Sequence, residues 1–256
     1  MSDSSAKQPI GKIGRKVEDA AIAPKGARHR RAALFQIYVF LATVAFLALA
    51  VAAHFAPYFP IDVAITRLVQ SEQGHVLETV MRGTSWMGWN PQAALLVVGV
   101  VSSLLLIGLR WEAVVALFAG LGTAVGSLVK LLVIRPRPSA DLVHVFSQLS
   151  TTSFPSGHVL LATGFYGFLG FLMYTLLQPS WYRALGLCVV ALIVTLMGPS
   201  RIYLGQHWFS DVLGAYVLGS IWLALSIRIY RWGKPRFFRD QPAAPEQPAA
   251  PEQPEA

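Results

Sequence analysis

The chain has 256 residues, 54% of them hydrophobic and only 13% charged, about half the charged fraction of an ordinary soluble domain. Apolar windows of about 20 residues recur, the length a helix needs to cross the hydrocarbon core, which excludes a soluble globular protein. The formal charge of +8 does not point to nucleic acid. Eight Lys/Arg lie in residues 1–31 and five more (Arg228, Arg231, Lys234, Arg236, Arg239) follow the last apolar run. Such clusters set topology or meet anionic headgroups, and no base-stacking aromatics are interleaved with them.

In chain order, residues 1–31 form a basic cytoplasmic segment, residues 32–230 a membrane domain and residues 231–256 a Pro-rich tail. Six spans are expected, at about 33–54, 91–109, 113–134, 158–178, 184–203 and 207–228. The first is read as a retained signal-anchor, because its apolar run exceeds that of a cleaved signal and its basic leader is long. Between the first two spans, Ile61, Ala64, Ile65 and Leu68, then Leu77, Val80 and Met81, recur at helical spacing around Gly74. This predicts two short amphipathic helices along the outer surface, with packing on the bundle as the alternative. The fold class is therefore an all-α polytopic membrane protein, with six transmembrane helices and short interfacial helices after the first span. Cys188, the only cysteine, reads as a small buried hydrophobe. The tail repeats "QPAAPE" and is expected to be extended and disordered.

An even number of spans puts both basic ends in the cytoplasm and gathers three polar islands at the outer face. The first is "KLLVIRPRP". Lys130 lies near the end of span three, and Pro136 and Pro138 disfavour helix before them, so Arg137 sits in the exit loop and converges with the lysine. Three basic residues on an outer side run against the positive-inside rule. The second is "FPSGH", where Ser156 is the expected N-cap of span four. There Gly157 lets backbone approach a ligand, and the free N–H groups make an anion site. The third is "SRIYLGQHWFSD", with Pro199 and Gly205 bracketing a turn. Ser200 and Arg201 close span five and His207 opens span six. His207 and Asp211, four apart, share a helix face, so the carboxylate can accept the imidazole Nδ1–H and leave Nε2 a free base.

Together the islands supply three cations (Lys130, Arg137, Arg201), a helix N-terminus and two histidines (His158, His207), one of them backed by Asp211. That composition describes an anion pocket with acid/base groups. A divalent metal would want more carboxylates and fewer cations, so no metal and no cofactor are expected. Phosphate is the anion that guanidinium forks and backbone N–H groups match. Arg135, Asp141 and His144 read as solvated loop residues in preference to rim contacts.

Lys130-x6-Arg137-Pro138, Pro155-Ser156-Gly157-His158 and Ser200-Arg201-x5-His207-x3-Asp211 resemble, in order and spacing, the three signature motifs of the type 2 phosphatidic acid phosphatase superfamily. The resemblance covers about 80 residues and implies a membrane lipid phosphate phosphatase. It implies that His207 attacks phosphorus to form a phosphohistidine, with Asp211 orienting it. It implies further that His158 protonates the leaving oxygen and then activates water. Lys130, Arg137, Ser156, the Gly157 amide and Arg201 would hold the phosphoryl oxygens. The implied substrates are undecaprenyl pyrophosphate, phosphatidylglycerol phosphate, phosphatidic acid or phosphorylated lipid A, met at the periplasmic face of the inner membrane. Phosphotransfer to another hydroxyl, and a lipid-phosphate binder or transporter without catalysis, are the alternatives.

Overall fold

The computed structural model describes residues 25–72 and 74–237. Among these residues ten α-helices follow in order: α1 (Lys25–Phe55), α2 (Pro60–Val69), α3 (His75–Trp86), α4 (Gln92–Leu106), α5 (Arg110–Gly120), α6 (Gly122–Val133), α7 (Gly157–Leu161), α8 (Gly167–Leu176), α9 (Trp181–Tyr203) and α10 (Phe209–Phe237). A π-helical turn, Ala162–Tyr166, joins α7 to α8. Among the described residues the structure is all-helical. The expected boundaries at 31 and 231 fall inside α1 and α10. The remainder of the basic leader and of the tail lies outside the described residues.

Among the described residues five stretches are long and apolar enough to cross a bilayer: His29–Phe55, Arg110–Val133, Gly157–Leu176, Trp181–Tyr203 and Phe209–Phe237. The expected second span, 91–109, is realised as α4 with 15 residues, about 22 Å long and short of a full crossing. Gly108, at φ +83°, ends it and turns the chain into α5. The core lies where α5, α7, the π turn and α10 meet, around Val115, Ala116, Leu160, Phe165, Phe168 and Ala215.

The outward faces are apolar, as lipid requires. Leu41, Leu131, Leu132, Leu192 and Leu106 are all exposed. Cys188 is exposed too, which corrects the expectation of a buried hydrophobe: in lipid, an apolar position gains nothing by facing inward. Helix α2 shows the same inversion. Its inward stripe is polar, with Asp62, Thr66 and then Gln70 buried at four-residue steps, while Ile61 and Leu68 stand outside.

Two local features set the geometry that follows. Helix α6 ends at Ile134, a non-glycine residue in the left-handed region (φ 48°, ψ 41°), and Pro136 and Pro138 prevent the helix from resuming. The reversal sends Arg135 inward, where it is 1% exposed. Pro199 was expected to bracket a turn but lies inside α9. The Tyr216 hydroxyl makes this possible: it accepts from Gly198 N (3.1 Å) and donates to Val194 O (2.7 Å), with Thr195 O at 3.3 Å. It thus occupies the carbonyl region that a proline cannot satisfy.

The turn proper is Leu204–Trp208. It pivots on Gly205 at φ +63°, where an added Cβ would lie 2.1 Å from the His144 carbonyl oxygen. Gly205→Ala is therefore expected to meet both the left-handed penalty and a backbone clash. It should cost at least about 2 kcal/mol, measured as a lowered midpoint of thermal unfolding in detergent. A variant as stable as the wild type would show that the turn can relax without cost.

Candidate active site

The turn brings Arg201 and His207 together by wrapping around one carbonyl. Gln206 N and His207 N both donate to Arg201 O, at 3.1 and 3.3 Å. His207 was expected to open the last span, but helix α10 begins two residues later, at Phe209. Trp208 is the N-cap, and its backbone N–H donates to Asp211 Oδ2 at 2.9 Å. Asp211 thus caps the helix from its third position. The His207–Asp211 pairing survives this change of frame: Nδ1 lies 3.5 Å from Oδ2. Ser153 sits between them, its Oγ donating to Asp211 Oδ2 and lying 3.5 Å from His207 Nδ1. Sequence reading missed Ser153, because no spacing ties residue 153 to residues 207 and 211.

The segment 151–153 gathers the first cations. Lys130 Nζ donates to Thr152 O (2.7 Å) and Ser153 O (3.1 Å). Arg137 donates from Nε to Thr151 O (2.7 Å) and from Nη2 to Thr151 Oγ1 (2.8 Å). Its Nη1 reaches Gln206 O at 2.6 Å and His207 Nε2 at 3.2 Å. A guanidinium has only donors, so the contact at Nε2 fits a lone pair there and the hydrogen on Nδ1, facing Asp211 and Ser153. Trp208 Nε1 donates to Pro136 O (3.2 Å) and Ser153 N to Arg135 O (2.8 Å). These bonds tie the loop after α6, the loop before α7 and the α9–α10 turn into one frame.

Arg201 is fully buried. Its Nη1 donates to Ser85 Oγ on α3, and its guanidinium carbon stands 5.7 Å from the Trp89 ring centre. Among the described residues Nε and Nη2 have no hydrogen-bond partner, nor do Ser156 Oγ and His158 Nε2. Ser156 occupies the N-cap of α7 as expected, but its side chain makes no cap bond. His158 packs edge-on against Trp89, at 5.6 Å between ring centres. Gly88 leaves it that room, since a Cβ there would fall 2.4 Å from the imidazole.

Lys130, Arg137, Gly157, His158, Arg201 and His207 all line one cavity of about 650 Å³. It continues along Ala93, Val97 and Val98 of α4 and along Leu117 and Leu121, so one part is cationic and the other apolar. Ser156 and Asp211 are fully buried beside it and are not among its lining residues. Of the three loop residues weighed as rim contacts, Asp141 and His144 are exposed, whereas Arg135 is not solvated at all. It pairs with Asp62 Oδ2 (2.8 Å) and Asp211 Oδ1 (2.7 Å), all three side chains having no exposure.

Burial, followed by the positive charges of Arg137, Arg201 and Lys130, holds the His207 imidazole well below the usual imidazole range. The arrangement therefore offers a neutral, aimed imidazole, a second imidazole and a set of unpaired N–H donors around one chamber. That is what nucleophilic attack on a bound oxyanion requires. The linkage to stability has a definite sign. An unfolded histidine takes up its proton near about pH 6.5, while folded His207 resists protonation. Its contribution is therefore full above that pH and lost as pH falls below it. The unfolding midpoint should drop as pH falls below about 6.5, and His207→Gln should flatten that part of the curve. An equal slope in both proteins would place the sensitivity elsewhere.

A model of the PAP2 superfamily matches residues 111–235, a range that holds all three polar islands. Phosphatidylglycerophosphatase B of Bacillus subtilis (strain 168) is 31% identical over 177 residues, which is 68% of this chain and 85% of that protein. An undecaprenyl-diphosphatase of Sulfolobus acidocaldarius is 35% identical over 82 residues, 32% of this chain and 35% of its own length. The crystal structure of the first transmembrane PAP2 type phosphatidylglycerolphosphate phosphatase from Bacillus subtilis superposes with a TM-score of 0.65 at 26% identity. It covers 78% of this chain and 98% of that one. LpxE of Aquifex aeolicus gives a TM-score of 0.54 at 21% identity, with coverage of 66% and 96%, a likeness of fold.

Proposed function

The chain belongs to the PAP2 superfamily and is a lipid phosphate hydrolase, and from that premise we propose that it cleaves a lipid phosphomonoester or diphosphate through a phosphohistidine at His207. The observation that carries the proposal is the buried Arg201 guanidinium. Its two unpartnered nitrogens stand at a cavity that also holds Lys130, Arg137, His158 and His207. Leaving charged donors buried and unpaired costs several kcal/mol in principle, and a phosphoryl group supplies the missing acceptors.

In this reading the phosphoryl oxygens take hydrogen bonds from Arg201, Arg137, Lys130, Ser156 Oγ and the Gly157 amide. His207 Nε2 forms a bond to phosphorus as the ester or anhydride P–O bond breaks. The departing oxygen takes its proton from His158 Nε2. Asp211, with Ser153, keeps the Nδ1–H tautomer in place and stabilises the imidazolium character that grows during attack. His158, now neutral, removes a proton from water, the P–N bond breaks and inorganic phosphate leaves. Three cations cover the charge that metal ions cover in other phosphatases, so the reaction is metal-independent. The substrate brings its own negative charge into the cationic chamber, which favours the protonated His158 the first step needs.

The apolar wall along α4 supports a lipid whose chains lie between α4 and the α5–α6 span while its headgroup meets the cations. Short α4 pairs with α5 to complete a six-crossing plan, with α2 and α3 lying in the interface. Both basic ends are then cytoplasmic and the site faces the periplasm. The similarity to phosphatidylglycerophosphatase B and to an undecaprenyl-diphosphatase supports glycerophospholipid phosphates and polyprenyl diphosphates as the classes to assay first.

Purified protein should release inorganic phosphate from both classes in detergent, and excess chelator should leave the rate unchanged. His207→Ala should lower turnover by at least about 10⁴-fold, whereas Asp211→Asn should cost only about 10²-fold. Near-normal release by His207→Ala would sink the nucleophile assignment, and lipid transfer without release would favour a carrier. The pH profile of kcat/KM should be bell-shaped, with its acid limb below about pH 6.5, because His207 stays neutral there. A flat profile between pH 5 and 9 counts against two-histidine chemistry.

A further inference from the structure

Asp62 lies about 70 residues before the first signature motif, on the short helix α2, yet its carboxylate is wired to the site. Arg135 Nη2 donates to Asp62 Oδ2 at 2.8 Å, and Nη1 donates to Asp211 Oδ1 and to Ser210 Oγ, each at 2.7 Å. Asp62 accepts in addition from Ser210 N at Oδ1 (2.8 Å) and from Ser210 Oγ at Oδ2 (2.9 Å). Phe59 N adds a further bond at 2.9 Å. Arg135 Nε completes the set on Ala56 O at 3.2 Å, with the Phe59 ring centre 4.8 Å from the guanidinium carbon. Asp62 and Asp211 are fully buried.

We propose that Asp62 and Arg135 are positioning residues for catalysis, holding Asp211 in place and setting the charge behind His207. The inference rests on the reading of His207 as nucleophile. Asp211 must present one oxygen to His207 Nδ1 while its other oxygen is anchored. Oδ2 already serves Ser153, Trp208 N and the imidazole side, so Oδ1 is the handle, and Arg135 holds it. Arg135 alone would neutralise Asp211 and weaken its pull on the imidazolium. Asp62 takes up the second arm of the guanidinium, so two carboxylates share one cation and the group keeps one net negative charge. That charge lies behind His207 and opposes the cations in front of it.

The groups facing His207 are Lys130 from α6, Arg137 from the following loop, His158 from α7 and Arg201 from α9. Asp211 of α10 joins them, with Arg135 and Asp62 behind it. A change confined to the rear group shifts the imidazole in a direction fixed by its sign. Asp62→Asn removes a negative charge, so His207 protonates less readily and the acid limb of the kcat profile moves to lower pH. Arg135→Gln removes a positive charge and moves the limb to higher pH.

The test measures phosphate release from a short-chain phosphatidic acid in detergent by wild type, Asp62→Asn, Arg135→Gln and the double variant. His207→Ala is run beside them. Each single variant should lose kcat about tenfold or more, with KM within about twofold, and the two acid limbs should move in opposite directions by about half a pH unit. The double variant should bring the limb back toward wild type without restoring kcat. Limbs that move together, an effect on KM alone, or wild-type kcat in either single variant would overturn the inference. Should a single variant not fold, judged by thermal unfolding and by protection with inorganic phosphate, Asp62→Glu and Arg135→Lys keep both charges and displace the contact. They should lose kcat with the limb unmoved, and wild-type kcat in both overturns the proposal. Turnover retained by His207→Ala would instead mean that the underlying mechanism has failed.

Discussion

Lys130, Arg137 and Arg201 carry like charges to one cavity inside an apolar bundle, and the surrounding structure follows from keeping them there. Unit charges at such range repel by on the order of a few kcal/mol per pair when partly screened, and desolvation adds to that. The protein answers with backbone oxygens and rings in place of counter-ions. Carbonyls of residues 151–153 hold Lys130 and Arg137, Gln206 O takes a second arm of Arg137, and Ser85 and Trp89 flank Arg201. A carboxylate at each cation would have neutralised the site. Carbonyls fix the side chains and leave their charge available to an anion.

The same requirement explains why the loops are so heavily cross-tied. Lys130 and Arg137 come from one stretch of chain, Arg201 and His207 from a second and His158 from a third. Trp208 to Pro136, Ser153 to Arg135 and Ser156 N to Asp211 O bind those stretches to one another with little hydrophobic area. At the opposite end of the bundle, Glu112 Oε1 accepts from the Tyr230 hydroxyl at 2.9 Å and pairs with Lys234 Nζ at 2.8 Å. There the charge is matched in place, as befits a structural contact.

The three polar islands were legible because each is a short run in which chemistry and spacing coincide. A cation or histidine at the edge of an apolar span stands out against its neighbours. Arg135 was misjudged for the same reason: its partners lie 73 and 76 positions away in sequence, and no local pattern announces them. Asp62 was hidden inside a helix whose apolar periodicity was visible but whose direction was not. In water an apolar stripe faces the core. Against lipid it can face outward, and then a buried polar stripe passes for the solvent side. Cys188 was misplaced by that assumption, and the true start of α10 at Phe209 was obscured because a cap at Asp211 leaves the same four-residue spacing as a helix face.

Gly88 carries a consequence for how such an enzyme can diversify. Any side chain there would collide with the His158 ring, so the cavity wall beside the proposed acid is bare main chain and is closed to retailoring. The walls at Leu149–Thr151 and along α4 have no such restriction. A lineage that acquires a new headgroup preference must therefore write it on one side of the chamber, leaving the other as a fixed template on which every descendant performs the same proton transfer.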